Sequence, residues 1–245
     1  MRPRTRRTTS AALLLLALVT LPVLAAIEKA NPEEVGLSTD RLARIHDAIQ
    51  RHIEDGNISG AVTAATRRGR LAHLEAHGLM DLEAGTAMTE DAIFKIMSMT
   101  KPVVGVAVLM LMEEGKIRLA DPVSRFIPEL GDLQVAVESA RGPGRGDVPP
   151  SFYTVPASRP ITVQDLLTHT SGLASGPISN REAGRVASKQ PTDTLADLIP
   201  KLGDAPLEFQ PGDRWAYSAS RGFDVLLRIV EVVSGQPADQ FLRER

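Results

Sequence analysis

The pattern of hydrophobic positions predicts an amphipathic helix followed by a β-hairpin in the first third of the chain. Ser38 is a typical N-cap residue, and apolar side chains recur behind it at helical spacing until Gly56. The apolar positions are Leu42, Ile45, Ile49 and Ile53. Two strand-like runs, 60–66 and 71–77, flank a short turn. We expect the helix to pack on the sheet that the hairpin begins.

A second pattern, over 103–112, is apolar on every side and ends at Gly115, a residue typical of a helix C-terminus. A helix without a polar face is expected to be buried all round. Ser98 and Lys101 precede this run, three residues apart, so their side chains project from the same face of a helix. Polar groups at the mouth of a buried helix are costly unless they have a role.

The bare Ser-x-x-Lys pattern is weak evidence, and its place at the mouth of a buried helix is what makes it a candidate for nucleophilic catalysis. A serine hydroxyl attacks a carbonyl group only after a base removes its proton, and a neutral lysine can be that base. The N-terminus of a helix also offers unpaired N–H groups to an oxyanion. The alternative is structural, with Ser98 as an N-cap and Lys101 as a first-turn residue that reaches solvent.

The second half of the chain is predicted to be mostly helical around one long loop. The stretch 139–160 is rich in glycine and proline and has no core periodicity, which predicts a loop. Helices are predicted at 121–127, from Thr162 as N-cap, over 192–202, over 224–234, and from Pro237 to the end.

Composition and charge exclude several classes of protein. The 245 residues carry a net charge of −2 and only 4% aromatic residues, so we expect no nucleic-acid partner. The absence of cysteine excludes disulfides, thiol catalysis and cysteine zinc sites. We expect no cofactor.

The first 25 residues are predicted to be a signal peptide. Four arginines precede an apolar run over 11–24, and small residues then form a cleavage site before Ala26. Removing four arginines and no acidic residue takes the net charge from −2 to about −6. We therefore predict a periplasmic or secreted protein without stable membrane association after cleavage. An uncleaved anchor is the alternative.

Histidines give two further candidates. His73 and His77 fall on one face of the second predicted strand, as a metal pair would, but no third ligand lies nearby in the sequence, and we interpret both as exposed strand histidines. His169 could be a catalytic base for a serine. We favour a structural residue that hydrogen-bonds a turn, followed by the turn residues Ser171 and Gly172.

Four motifs together resemble the serine β-lactamase-related superfamily, which includes class C β-lactamases, penicillin-binding carboxypeptidases and family VIII carboxylesterases. They are Ser98-Met99-Thr100-Lys101-Pro102, the run Leu166 to Leu173, the run Phe209 to Ser218, and Glu231 to Gly235. Their order and spacing match the superfamily from about Glu33 onward, and the third motif is nearest to the esterase branch.

The resemblance implies an α+β, β-lactamase/transpeptidase-like fold, with an antiparallel sheet, flanking helices and a mostly helical region. The parts expected are 26–97 (helix and hairpin of the α/β region), 98–234 (helical region) and 235–245 (the start of a helix leading back). It also implies Ser98 as the acylated nucleophile, with Lys101 and Tyr217 sharing proton transfer. The usual Tyr-x-Asn reads Tyr217-Ser218-Ala219 here, which favours plain esters over β-lactams.

The last motif of the superfamily, which supplies an oxyanion N–H from a late strand, is not present in the 245 residues. We therefore expect an N-terminal portion with an incomplete sheet and an exposed strand edge, poorly soluble and nearly inactive by itself. The expected function is a serine hydrolase that forms an acyl-enzyme from small carboxylic esters, with weak action on β-lactams or D-amino-acid peptides. The alternative is a catalytically silent binding or peptidoglycan-associated module of the same fold.

Overall fold

The structure is a computed structural model that describes residues 27–139 and 151–245. The predicted signal peptide over 1–25 lies outside the described residues, and so does 140–150 within the predicted loop. The chain divides into two compact units, with the boundary between Phe94 and Lys95.

The first unit contains the expected helix and hairpin. Helix α1 spans Thr39–Glu54, and the hydroxyl of Ser38 accepts a hydrogen bond from the backbone N–H of Arg41, as an N-cap does. The apolar side chains of α1 are only half-buried. The helix packs on the sheet with one side, and its opposite side faces solvent. The helix contacts the second strand, as the pattern predicted.

Three antiparallel strands form the sheet of this unit, in the order β1-β2-β3. They span Gly60–Arg67, Arg70–Asp81 and Thr86–Ala87. The hairpin closes through Arg68 and Gly69, both with positive φ, the backbone twist that two-residue hairpin turns need. The sequence did not reveal β3, which is only two residues long. Strand β1 lies at an edge of the sheet within the described part, so the sheet is open, as expected.

The second unit is mostly helical. Its helices are α2 (Thr100–Glu113), α3 (Val163–Leu167), α4 (Pro177–Val186), α5 (Leu195–Leu198), α6 (Arg221–Ser234) and α7 (Ala238–Glu244). Thr162 caps α3 in a reciprocal pair with Asp165. The glycines Gly115 and Gly235 follow α2 and α6 in the left-handed conformation, as predicted for C-termini.

Three predictions for this unit are corrected, and one helix was missed. The stretch 139–160 is not all loop, since β5 (Phe152–Pro156) pairs antiparallel with β4 (Gln134–Glu138). The proposed helix at 121–127 is only a 3-10 turn, Val123–Arg125. The proposed helix over 192–202 is broken into α5 and the 3-10 segment Pro200–Asp204, because a proline removes a backbone donor. Helix α4 was not predicted.

Helix α2 is not buried on all sides, contrary to the prediction. Its residues Val104, Ala107, Val108 and Leu111 are in the core, whereas Val103, Val106 and Leu109 are 48%, 57% and 42% exposed. The buried face packs against α6, and α3 and α7 also contact α6. Because α2 and α6 share one apolar core, the ends of both helices are fixed relative to each other. No helix in the described ranges is long and apolar enough to cross a bilayer.

Candidate active site

Ser98 lies where the chain turns into α2. The 3-10 turn Met97–Met99 runs directly into the helix at Thr100. Met97 has a φ of 48°, a left-handed conformation that is uncommon for a non-glycine residue. Such backbone outliers often accompany functional sites, and this one immediately precedes the serine.

The three residues implied by the motifs come together in the second unit. The Nζ atom of Lys101 donates to the Oγ atom of Ser98 at 3.1 Å, one helical turn away. The hydroxyl of Tyr217, 119 positions further along the chain, lies 2.6 Å from the same Oγ atom. The predicted convergence of the serine, lysine and tyrosine is therefore present, with the serine oxygen between its two partners.

Lys101 is held in place by more than the serine. Its Nζ atom also donates to the backbone carbonyl of Ala219 at 2.6 Å. The ammonium group lies 4.8 Å from the ring centre of Tyr217 and 5.6 Å from that of Phe223, within the range of cation–π contacts. Ala219 occupies the position where the superfamily usually has asparagine, and here it is the backbone of this residue that binds the lysine.

The surroundings of Tyr217 make its phenol easier to ionise. Hydrogen bonding to Lys101, and next to Ser98, lowers the pKa of the Tyr217 phenol from its ordinary value. Burial raises the pKa of Asp224, although the charges of Arg221, Lys189 and Lys101 oppose this shift. A base with a lowered pKa is closer to the working pH, as proton transfer requires.

The segment that carries Tyr217 is fixed by its neighbours. The hydroxyl of Ser218 is buried and accepts a hydrogen bond from the backbone N–H of Gly222, in the first turn of α6. Tyr217 is thus attached to the start of α6, as Ser98 is to the start of α2. The packing of these two helices brings the nucleophile and the tyrosine together.

His169 is the residue whose role the sequence left open. Its Nδ1 atom accepts a hydrogen bond from the backbone N–H of Ser218 at 3.2 Å. The structural interpretation, in which it hydrogen-bonds a turn, is therefore confirmed, and the partners of the serine oxygen are Lys101 and Tyr217. What the sequence did not reveal is that the turn it holds is the one that carries the tyrosine.

The histidines of the first unit differ from their prediction. His77 is buried, with its side chain 1% exposed, and a third potential metal ligand does exist. His46 from α1, Glu75 and His77 each place a ligand atom within 4.8 Å of the others, a donor set of the kind that binds zinc. Most of these groups have partners within the protein, whereas the Nδ1 atom of His77 is buried without a hydrogen-bond partner. His46 contacts Glu75 at 2.7 Å, and the Nε2 atom of His77 lies 3.0 Å from the hydroxyl of Thr63.

Comparison with known proteins identifies the family. The sequence model described as "Beta-lactamase" matches residues 45–245. Protein Rv1367c of Mycobacterium tuberculosis (strain ATCC 25618 / H37Rv) is 40% identical over 203 residues, which cover 81% of this chain and 47% of that protein. Esterase EstB of Burkholderia gladioli is 34% identical over 217 residues, which cover 84% of this chain and 49% of the esterase.

Solved structures agree with this result. The structure of EstCE1, described as a hydrolase with promiscuous acyltransferase activity, matches with a TM-score of 0.66 and 28% identity, over 83% of this chain and 49% of that one. The chain spans about half the length of the relatives it matches. The resemblance seen in the four motifs and the expected fold class are thereby confirmed, and the chain belongs to the beta-lactamase family.

Proposed function

We propose that this protein is a serine hydrolase that cleaves small carboxylic esters through an acyl-enzyme on Ser98. The observation that carries the proposal is the double contact on the serine oxygen, at 2.6 Å from Tyr217 and 3.1 Å from Lys101. A lysine and a tyrosine that converge on one exposed serine hydroxyl form the arrangement that activation of a nucleophile requires. The similarity to esterase EstB supports an ester as the substrate class.

Ser98 would be the nucleophile, Tyr217 the base and then the acid, and Lys101 the positive charge that stabilises the phenolate. The phenolate of Tyr217 accepts the Ser98 proton while the Oγ atom attacks the carbonyl carbon, and the positive charge of Lys101 stabilises the phenolate. The protonated tyrosine then donates that proton to the departing alcohol, which leaves an acyl-serine. In the second half, a water molecule gives its proton to the phenolate and attacks the acyl carbon, and the serine recovers the proton as the acid leaves.

The oxyanion formed at each step needs hydrogen-bond donors. Ser98 lies at the N-terminal end of α2, where the helix dipole favours negative charge. The N–H groups of Met99 and Thr100 are bound within the 3-10 turn, so neither is free to be a donor in this structure. The absence of an asparagine side chain at position 219 supports plain esters as the main substrates, with β-lactams and D-amino-acid peptides as weak ones. The signal-like first 25 residues support action in the periplasm or outside the cell.

The test is active-site labelling followed by peptide mapping. A fluorophosphonate probe should modify Ser98, and Ser98→Ala should lose both the label and the hydrolysis of a short aryl ester. Ser158→Ala, a change at an exposed serine whose backbone N–H is bound by Gln210, should retain both activities. Because an incomplete oxyanion hole slows turnover, the label is the deciding measurement: folded protein that takes no label at Ser98 would instead support the silent binding module.

A further inference from the structure

His169 binds the backbone on both sides of Tyr217. Its carbonyl oxygen accepts a hydrogen bond from the N–H of Ala216 at 3.0 Å, and its Nδ1 atom accepts one from the N–H of Ser218 at 3.2 Å. The two residues that flank the tyrosine are therefore held by a single histidine. Neither of these bonds is required to fold a helix or a sheet, since the segment belongs to neither.

The histidine ring also contacts the tyrosine directly. Its centre lies 4.8 Å from that of Tyr217 and 5.5 Å from that of Phe223, which is on α6. The backbone of His169 has a φ of 59°, a conformation that costs energy for most residues and is tolerated best by glycine and asparagine. Histidine and asparagine adopt this left-handed conformation more often than most other residues do, so asparagine can replace His169 without backbone strain.

Only an unprotonated Nδ1 atom can accept the hydrogen bond from Ser218. The neutral ring then carries its proton on Nε2. When the ring is protonated, Nδ1 gains a hydrogen, so two N–H groups face each other and the bond is lost. The ring is next to the Lys101 ammonium group, which adds electrostatic repulsion to the protonated state.

We propose that neutral His169 is a positioning residue that holds the Tyr217 phenol against Ser98, and that protonation of its ring releases the tyrosine and switches the enzyme off in acid. The proposal rests on the esterase function proposed above. It concerns the placement of the tyrosine rather than contact with substrate.

The groups around the ring set the direction of the switch. Burial, and next to it the positive charge of Lys101, lower the pKa of His169 below its ordinary value of about 6.5. Tyr217 faces the ring from the segment before α6, and α6 itself contributes the uncharged Phe223. The Asp165 carboxylate on the preceding α3 is bound by Arg159. The neutral form is therefore kept at neutral pH and lost only below about pH 6.5.

Two variants separate the hydrogen bond from the bulk of the ring. His169→Ala removes the acceptor, whereas His169→Asn retains an acceptor oxygen in place of Nδ1 and tolerates the left-handed backbone. With short aryl esters at neutral pH, we expect kcat/KM to fall about 10- to 100-fold in the alanine variant, since a misplacement of about 1 Å can cost 10²-fold. The asparagine variant should recover most of this loss.

The pH profile tests the switch itself. If Tyr217 is the general base, a plot of log(kcat/KM) against pH has a slope of one below the pKa of Tyr217. Below about pH 6.5 the slope should increase to two, because His169 must also lose a proton. In the asparagine variant, which does not titrate there, the slope should stay at one. An unchanged two-proton slope in that variant would overturn the switch.

A third readout does not depend on catalysis. The chain has only two tyrosines, so Tyr153→Phe leaves Tyr217 as the single phenol that absorbs as tyrosinate. In that background, His169→Ala should move the phenol pKa up toward about 10, because Tyr217 leaves its partners, and His169→Asn should not. The only tryptophan, Trp215, has its ring centre 6.2 Å from that of His169, so its fluorescence should report protonation of the imidazole.

These results distinguish the two proposals. Wild-type protein that takes no fluorophosphonate label at Ser98 would refute the esterase function, and the tyrosinate and fluorescence titrations would still decide the role of His169. A phenol that titrates identically with histidine, alanine and asparagine at position 169 would refute the positioning role. If the alanine variant fails to fold, the asparagine variant and the fluorescence titration of the parent suffice.

Discussion

Tyr217→Phe removes one oxygen atom and leaves the rest of the site intact. That atom lies 2.6 Å from the nucleophile, and the Lys101 contact to Ser98 at 3.1 Å does not depend on it. Tyr217 is 43% exposed, so the urea midpoint of unfolding should hardly change. Loss of activity in this variant would therefore reflect chemistry and not unfolding.

The expected loss follows from the role of a general base. A positioned base contributes about 10²- to 10⁴-fold to the rate, so kcat should fall by that factor while KM changes little. The loss should be larger for an alkyl ester than for an aryl ester, since an alkoxide leaving group needs a proton and a phenoxide barely does. If the ratio of the wild-type kcat to the Tyr217→Phe kcat is the same for both esters, Tyr217 acts as a base only and the proposed acid role is wrong.

The pH dependence has a definite sign. The active form is the phenolate, so kcat/KM should rise with pH and level off at the Tyr217 pKa, which lies below its ordinary value because of Lys101 and Ser98. This rise of kcat/KM with pH should be absent from the Tyr217→Phe variant.

The assay is steady-state hydrolysis of an aryl butyrate by absorbance and of ethyl butyrate by pH-stat. Tyr153→Phe, at an exposed position in β5, is the matched control and should keep the wild-type rate. Activity of Tyr217→Phe within a few-fold of wild type, with correct folding, would refute this account of the site.

Three further substitutions test the fold that positions the site. Leu111→Ala, on the buried face of α2, should lower the free energy of unfolding by about 2–5 kcal/mol in urea titrations. Burial would raise the pKa of Asp165, but hydrogen bonds, above all the one from Arg159, lower this pKa overall. The ionised carboxylate therefore contributes its full stabilisation above about pH 4, and this stabilisation is lost as the pH falls further. Asp165→Asn should therefore flatten the acid side of a plot of urea midpoint against pH, and a slope unchanged from wild type would contradict this. Gly172→Ala should destabilise by more than about 1 kcal/mol, because φ is +76° and its Cβ would lie 2.6 Å from a backbone oxygen. Gly184→Ala should not, because Gly184 is in the last turn of α4 with open space around it. Equal thermal midpoints for these two alanine variants would refute the steric argument.

Local signals were sufficient for much of the fold. The caps at Ser38 and Thr162 and the glycines after α2 and α6 each have a short-range cause, and each was predicted correctly. Strand β5 was missed because the glycines and prolines around it indicate a loop more strongly than its few aromatic and β-branched residues indicate a strand. Pairing with β4 is a tertiary contact that no local pattern contains.

The exposed face of α2 shows a different limit of sequence analysis. An all-apolar helix has no preferred side in its pattern, so the sequence cannot indicate which residues will find partners. The structure places Val104, Val108 and Leu111 against the core and leaves Val103 and Val106 exposed. The same reasoning applies to His77, whose burial depends on α1 crossing its strand and not on its neighbours in sequence.

The candidate site combines a local part with a distant part, and the two should fail under different conditions. The contact between Ser98 and Lys101 spans one helical turn and persists for as long as the start of α2 is helical. The contact with Tyr217 joins positions 119 residues apart and depends on the packing of α2 on α6 and on the bonds from His169. A local opening that breaks a few hydrogen bonds costs less free energy than global unfolding. Mild acid or low denaturant should therefore separate the tyrosine from the serine while the core stays folded, and ester hydrolysis should disappear before the tertiary structure does.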